Sequence, residues 1–180
     1  IIFILYFNLF NNRYKSNRYI IHYTYIQMDI DKLLHALNNE SNEAIVDLDI
    51  EIAVASLAAL QEISAAAKSK PARIHLEVDT GMSRGGFLNE WNLLTAEQLK
   101  GVDVVGIFSH FARADEPDEK QNSDQLMRFN AAVDHLHSLG HSKVIRHLSN
   151  SAATLKNSAA SFDMVRTGIS LYGLSPDVQT

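Results

Sequence analysis

The feature that most constrains this chain is a repeated arrangement of strand-like runs and polar loops. Residues 73–78 run into Asp79-Thr-Gly-Met-Ser-Arg84, and 104–108 into Ser109-His110-Phe111. Residues 144–148 run into Ser149-Asn150-Ser151, and Met164-Val165 into Arg166-Thr-Gly168. Helix-like segments separate these runs, and alternation of strand and helix calls for parallel strands joined by crossovers. In a β/α barrel the loops after the strands converge on one mouth, where reacting groups collect. Two arginines, a histidine, an Asn-Ser pair and a glycine turn would then face one ligand.

The periodicities place the elements. Leu33, Leu34 and Leu37 predict a short helix over 31–38, and 51–55 is a short strand. Ser56 is a helix N-cap, with Leu57, Leu60 and Ile63 as the apolar stripe of a helix to about Lys68. Residues 73–78 alternate as a strand, and 95–100 make at most a short helix. The apolar run 103–108 reads as a strand buried on both faces. Leu126, Phe129, Val133 and Leu136 define a helix over 123–139, stopped at Gly140. A strand at 144–148, a helix at 151–158 and a strand ending at Val165 complete the order β-α-β-α-β-α-β. Periodicity does not separate an open doubly wound sheet from a closed barrel. Four or five strands do not close an eight-stranded barrel, so a barrel reading makes the chain a partial one.

Charge and composition exclude several classes. With 180 residues the chain is expected to form one domain, and a net charge of −5 argues against a nucleic-acid partner. The absence of cysteine excludes disulfides and thiolate metal sites. The apolar stretch 1–10 is too short for a bilayer, which takes about 20 residues, and its charges follow it, unlike those of a secretory signal. Residues 1–28 are rich in Ile, Tyr and Asn, whereas Ala, Asp and Glu dominate from Asp29. Residues 1–28 are therefore expected to be a non-native or disordered extension, with 29–180 carrying the functional fold. His135, His137 and His141 do not share a helix face, which argues for a solvated helix end rather than a metal site. Asp115, Glu116, Asp118 and Glu119 read as a solvated loop. No metal is expected.

Taken singly, the loops are weak signals; the 79–86 loop is neither a Walker A loop nor a dinucleotide fingerprint. Taken together, four segments are specific: 75–87 (HLEVDTGMSRGGF), 106–116 (GIFSHFARADE), 147–154 (HLSNSAAT) and 164–173 (MVRTGISLYG). In this order and spacing they resemble the middle of a bacterial alanine racemase, from about residue 51 to 176. The resemblance implies a partial (β/α)8 TIM-type barrel, α/β in class, that binds pyridoxal 5'-phosphate. It implies a parent that interconverts L- and D-alanine as a homodimer in the bacterial cytoplasm, supplying D-alanine for peptidoglycan.

Roles carry over residue by residue. Arg166 matches the arginine at the pyridine nitrogen, where a permanently charged, donor-only group keeps that nitrogen unprotonated. His110 matches the histidine that links this arginine to the catalytic tyrosine. Arg84 matches the arginine near the cofactor's phenolic oxygen and the substrate carboxylate. Asn150 lies in a cofactor-contact stretch, and Ser151, Gly168 and Ile169 match the phosphate cradle. Glu77 stands where many relatives carry a carbamylated lysine, and would supply an anion to Arg84 without modification. Thr167 replaces a frequent proline. The family's Lys-Ala-Asp-Ala-Tyr-Gly motif is absent from the 180 residues, and Tyr172 does not match the catalytic tyrosine. The chain alone is thus expected to be inactive. The alternatives are a non-catalytic cofactor- or phosphate-binding relic, or another barrel enzyme of the same cofactor, such as a broad-specificity racemase or a decarboxylase.

Overall fold

The computed structural model describes residues 42–176, apart from 89, 117, 118 and 157. The expected helix at 31–38 and the proposed extension 1–28 lie outside the described residues, as do Pro117 and Asp118 of the acidic loop. The elements are α1 (Asn42–Asp47), β1 (Ile52–Val54), α2 (Leu57–Ala66), β2 (Ala72–Glu77), β3 (Val102–Phe108), α3 (Glu119–Ser138), β4 (Ile145–His147) and α4 (Ser151–Lys156).

The four strands form one parallel sheet in the order β1-β2-β3-β4. Each strand lies beside the one before it, so the order never reverses. A doubly wound sheet needs such a reversal to cover both faces. Here Leu60 and Ile63 of α2, Phe129, Val133 and Leu136 of α3, and Ala152 and Ala153 of α4 share one cluster with Ile74, Leu76, Val78 and Val104. The helices therefore cover one face, and the sheet is an arc of a barrel.

Local chemistry explains the element ends. Ser56 Oγ accepts from the Ala59 N–H and caps α2, a contribution of about 1 kcal/mol. Ser64 of α2 donates to the Lys100 carbonyl across 2.7 Å and ties the helix to the turn before β3. Burying Leu60 and Ile63 contributes roughly 1.5–3 kcal/mol each.

Several expectations are corrected. The segment from Met164 to Val165 is not a strand. It runs beside β4, where Asp163 N–H donates to Arg146 O and Arg166 N–H to Ser149 O. The Arg146 N–H turns instead to the Asp163 carboxylate at 3.0 Å, so a regular ladder does not form. Residues 95–100 form turns, preceded by a 3-10 turn at Glu90–Leu93. No α-helix joins β2 to β3 among the described residues. Helix α3 starts four residues before Ser123, and α4 ends at Lys156, followed by a 3-10 turn at Ser158–Ala160. Helix α1, whose Ile45 and Val46 are buried, was missed because six residues give too little period to read. The two faces of β2 also differ. Ala72, Ile74, Leu76 and Val78 meet the helices, and Arg73, His75 and Glu77 alternate with them onto the other face.

Candidate active site

Glu77, Arg84, His110, Asn150 and Ser151 lie at or beyond the C-terminal end of a strand, and Arg166, Gly168 and Ile169 follow the extended segment beside β4. Glu77 closes β2, and the loop after it is held by its own backbone. Asp79 Oδ1 accepts from the N–H groups of Gly81 (2.8 Å) and Met82 (2.9 Å). Phe87 then returns to pair with Val78 and is fully buried. Gly86 makes this return possible. Its φ is +106°, and a Cβ there would stand 2.8 Å from the Asp79 backbone nitrogen. Arg84 sits exposed on this loop. It lines one cavity with Glu77, Asp79, Met82, Ser109 and His110.

Arg166 is the hub. One guanidinium nitrogen donates to His147 Nδ1 and to the His147 carbonyl, both at 2.8 Å. The other donates to the Ser109 carbonyl at 2.6 Å and lies 3.4 Å from His110 Nδ1. The guanidinium stacks 5.0 Å above the Phe108 ring, and Phe108 in turn stacks on His147. Guanidinium has no acceptor, so both histidines accept at Nδ1 and carry their proton on Nε2. Burial, then the charges of Arg166 and Arg84, push His110 down to about 4. Burial, then Arg166 and His75, hold His147 well below the ordinary histidine value. Both rings are neutral at pH 7.

Behind Arg166 a buried relay continues that sequence reading missed. His147 Nε2 lies 2.8 Å from His75 Nδ1, and His75 Nε2 lies 3.0 Å from Glu51 Oε2. Arg73 pairs with the other oxygen of Glu51. With His147 protonated on Nε2, every bond donates in one direction, from Arg166 to the Glu51 carboxylate. One signal was available: Gly106, a glycine inside a strand, often marks close backbone approach. The register shifts at Ile74/His75, so His75 stands opposite Gly106, where a Cβ would lie 2.0 Å from His75 Nδ1.

At the other end, Ser151 Oγ accepts from the N–H of Gly168 at 2.8 Å and of Ser170 at 3.5 Å. Ser151, Gly168 and the backbone of Ile169 are thus together. The N-cap of α4 is Asn150, whose Oδ1 accepts from Ala153 N–H at 3.0 Å. That carbonyl is therefore engaged in the fold. Glu77 and Arg84 line the same cavity, and the Arg84 charge acts on the Glu77 carboxyl without a direct salt bridge between them. Burial raises the Glu77 carboxyl, opposed by the charges of Arg166 and Arg84. The His135 ring packs edge-on against Trp91 and bonds to the Leu94 carbonyl, rather than being solvated. Among the described residues no group of histidines and carboxylates forms a metal site.

The residues present fit a pyridoxal phosphate on two observations. Ser170 Oγ is buried without a hydrogen-bond partner beside Ser151, and a Cβ on Gly168 would meet nothing within 4 Å. Polar donors with open space beside them suit a phosphate.

Known proteins bear on this arrangement. An alanine racemase from Streptomyces lavendulae superposes with a TM-score of 0.71 at 36% identity, over 76% of this chain and 38% of that one. The alanine racemase of Clostridium difficile 630, in complex with cycloserine, gives 0.71 at 34% identity, over 79% and 41%. Those likenesses define a partial β/α barrel of the alanine racemase type. Residues 26–176 match the family described as alanine racemase, N-terminal domain, and the chain belongs to that family. The Salinispora arenicola alanine racemase is 45% identical over 135 residues, which are 71% of this chain and 36% of that protein. The Frankia casuarinae alanine racemase is 41% identical over 149 residues, 78% of this chain and 39% of that one. The chain therefore spans little more than a third of these relatives.

Proposed function

We propose that this chain is the cofactor-holding part of a protein that interconverts L- and D-alanine using pyridoxal 5'-phosphate. The observation that carries the reading is Arg166: a buried relay on one side, His110 on the other, and the Ser151–Gly168 cluster two residues along the chain. A charge held by so many fixed acceptors does not swing out to solvent as a surface ion pair would.

Ser151, Gly168, Ile169 and Ser170 would hold the phosphate, and Arg166 and Asn150 would meet the ring. When bound, the cofactor supplies a conjugated ring that makes the substrate Cα–H more acidic. Arg166 presents only N–H groups, so it would leave a ring nitrogen unprotonated and restrain electron withdrawal. Such restraint suits simple removal and return of a proton. His110 accepts from Arg166 at Nδ1 and presents its Nε2 proton away from it, toward a catalytic base. Arg84 is placed to meet a substrate carboxylate. The two proton-transferring groups of the family, a lysine and a tyrosine, have no matched residue in these 180. In the complete protein the reading extends to a homodimer in the bacterial cytoplasm, making D-alanine for peptidoglycan. No described helix is long and apolar enough to cross a membrane.

The test is pyridoxal phosphate binding by absorbance, beside alanine racemisation by the complete protein, with and without Arg166→Lys. Lysine keeps the charge but loses the fork that reaches His147, Ser109 and His110 together. Cofactor affinity or turnover should fall about tenfold or more. The 180-residue chain alone should bind without racemising. A wild-type protein that does not bind the cofactor would sink the reading.

A further inference from the structure

Helix α3 packs an apolar face on the sheet, built from Phe129, Ala132, Val133 and Leu136, and one buried polar residue interrupts it. Gln125 is only 1% exposed. Its Oε1 accepts from the Ala112 N–H at 3.0 Å. Its Nε2 donates to the His110 carbonyl at 2.9 Å and to Thr80 Oγ1 at 3.2 Å. The amide has one workable orientation, because a flip would set N–H against the Ala112 N–H. Thr80 Oγ1, which accepts from Gln125, also shares a hydrogen bond of 2.8 Å with Ser109 Oγ. One helical turn on, Arg128 donates to the Thr80 carbonyl at 3.2 Å.

We propose that Gln125 is a positioning residue, which locks the loop after β2 to the loop after β3 and so fixes His110 against Arg166. This rests on the functional reading above for its purpose, but not for its geometry. Gln125 grips the His110 loop twice, at the His110 carbonyl and at the Ala112 N–H two residues later. Through Thr80 it also holds the start of the loop that carries Arg84. An apolar residue at 125 would pack but would leave the Ala112 N–H and the His110 carbonyl without their present partner. A buried polar group that is fully satisfied selects one arrangement of the loops around it.

The groups that face His110 are Arg166 from the segment after β4, Arg84 and Asp79 from the loop after β2, and Glu77 at the end of β2. Releasing the clamp would admit water to the ring and move it from Arg166. Both changes carry its titration upward.

The experiment is an NMR pH titration of the His110 ring in the full 180-residue chain, for the wild type and Gln125→Met. Thermal unfolding and pyridoxal phosphate affinity are measured alongside. The expected result is a rise of about one unit or more, from about 4 toward the ordinary 6.5, and an affinity about tenfold weaker. If Gln125→Met does not fold, Thr80→Val removes the cross-loop link while losing only a hydroxyl, and the same rise is expected. A lower melting temperature with unchanged His110 titration would overturn the proposal, because that is what a purely structural glutamine would give. Absence of cofactor binding in the wild type would count against the functional reading alone, since the His110 titration would still decide the role of Gln125.

Discussion

His75 and His147 meet edge-on inside the sheet, with ring centroids 5.0 Å apart and a nitrogen–nitrogen distance of 2.8 Å. They come from β2 and β4, and Gly106 of the intervening β3 leaves the space they share. The pair transmits a single hydrogen-bond direction from the site to the buried Glu51 carboxylate just before β1.

That carboxylate can be removed. Glu51→Leu would strand the His75 Nε2–H in the core and leave Arg73 without one of its carboxylates. Loss of one member of a buried charged network destabilises by about 3–5 kcal/mol. Urea unfolding of the variant should show a free energy of unfolding lower by that amount. A loss below about 1 kcal/mol would mean the relay does not stabilise the fold.

A methyl group at position 106 makes a sharper test. In Gly106→Ala the new Cβ would lie 2.0 Å from His75 Nδ1, so His75 must move and its bond to His147 must break. Overpacking of this kind destabilises by roughly 1–3 kcal/mol. Arg166 should lose rigidity as well, so pyridoxal phosphate affinity should fall along with the melting temperature. Unchanged affinity would separate the relay from the site.

Acid should destabilise the fold through histidine as well as carboxylate titration. The folded-state values of His110 and His147 are depressed below 6.5. Above pH 6.5 neither state holds the proton, so this linkage is neutral. As pH falls below 6.5 the unfolded chain takes up protons that the native rings refuse, and stability declines. For His110 the loss levels off near pH 4; for His147 the decline continues while the native ring stays neutral. Both groups therefore make the fold less stable at pH 5 than at pH 7. Urea titrations at pH 7 and pH 5 measure it, and His147→Phe should flatten part of the slope.

Glu77 presents the anion question. Its carboxylate lies near Arg84 and Arg166 but is paired with neither through a salt bridge, and burial raises its titration. If its charge orients Arg84 toward substrate, Glu77→Gln in the complete protein should raise the KM for alanine about tenfold, with a smaller change in kcat. Unchanged kinetics would discard that role and leave Glu77 as a wall of the cavity.

Much of this protein was legible along the chain. The strand at 73–78 followed from apolar alternation, the one at 103–108 from an apolar run, and the Ser56 cap from residue type; the four motifs named Arg84, His110, Ser151 and Arg166 as candidates, whereas the strand expected before Arg166 did not form. All of these depend on neighbours a few residues apart. Asn150 shows the limit, because a side chain that matches a ligand-contact stretch is also a fitting helix cap, and only the fold shows that Asn150 Oδ1 takes up the Ala153 N–H. Arg146 is a second case. Its backbone turning to the Asp163 side chain is what keeps the last extended segment out of the sheet.

The sequence by itself determined the alternation of strands and helices and the identity of the groups at the strand ends, because periodicity, capping and turn chemistry are local. Tertiary structure alone decided that the strands run in unbroken order with helices on one face. It alone brought His75 to His147 across 72 residues and set Gln125 between two loops. Those relations depend on side chains meeting in three dimensions, where a missing Cβ or one satisfied amide selects the arrangement, and no local period records them.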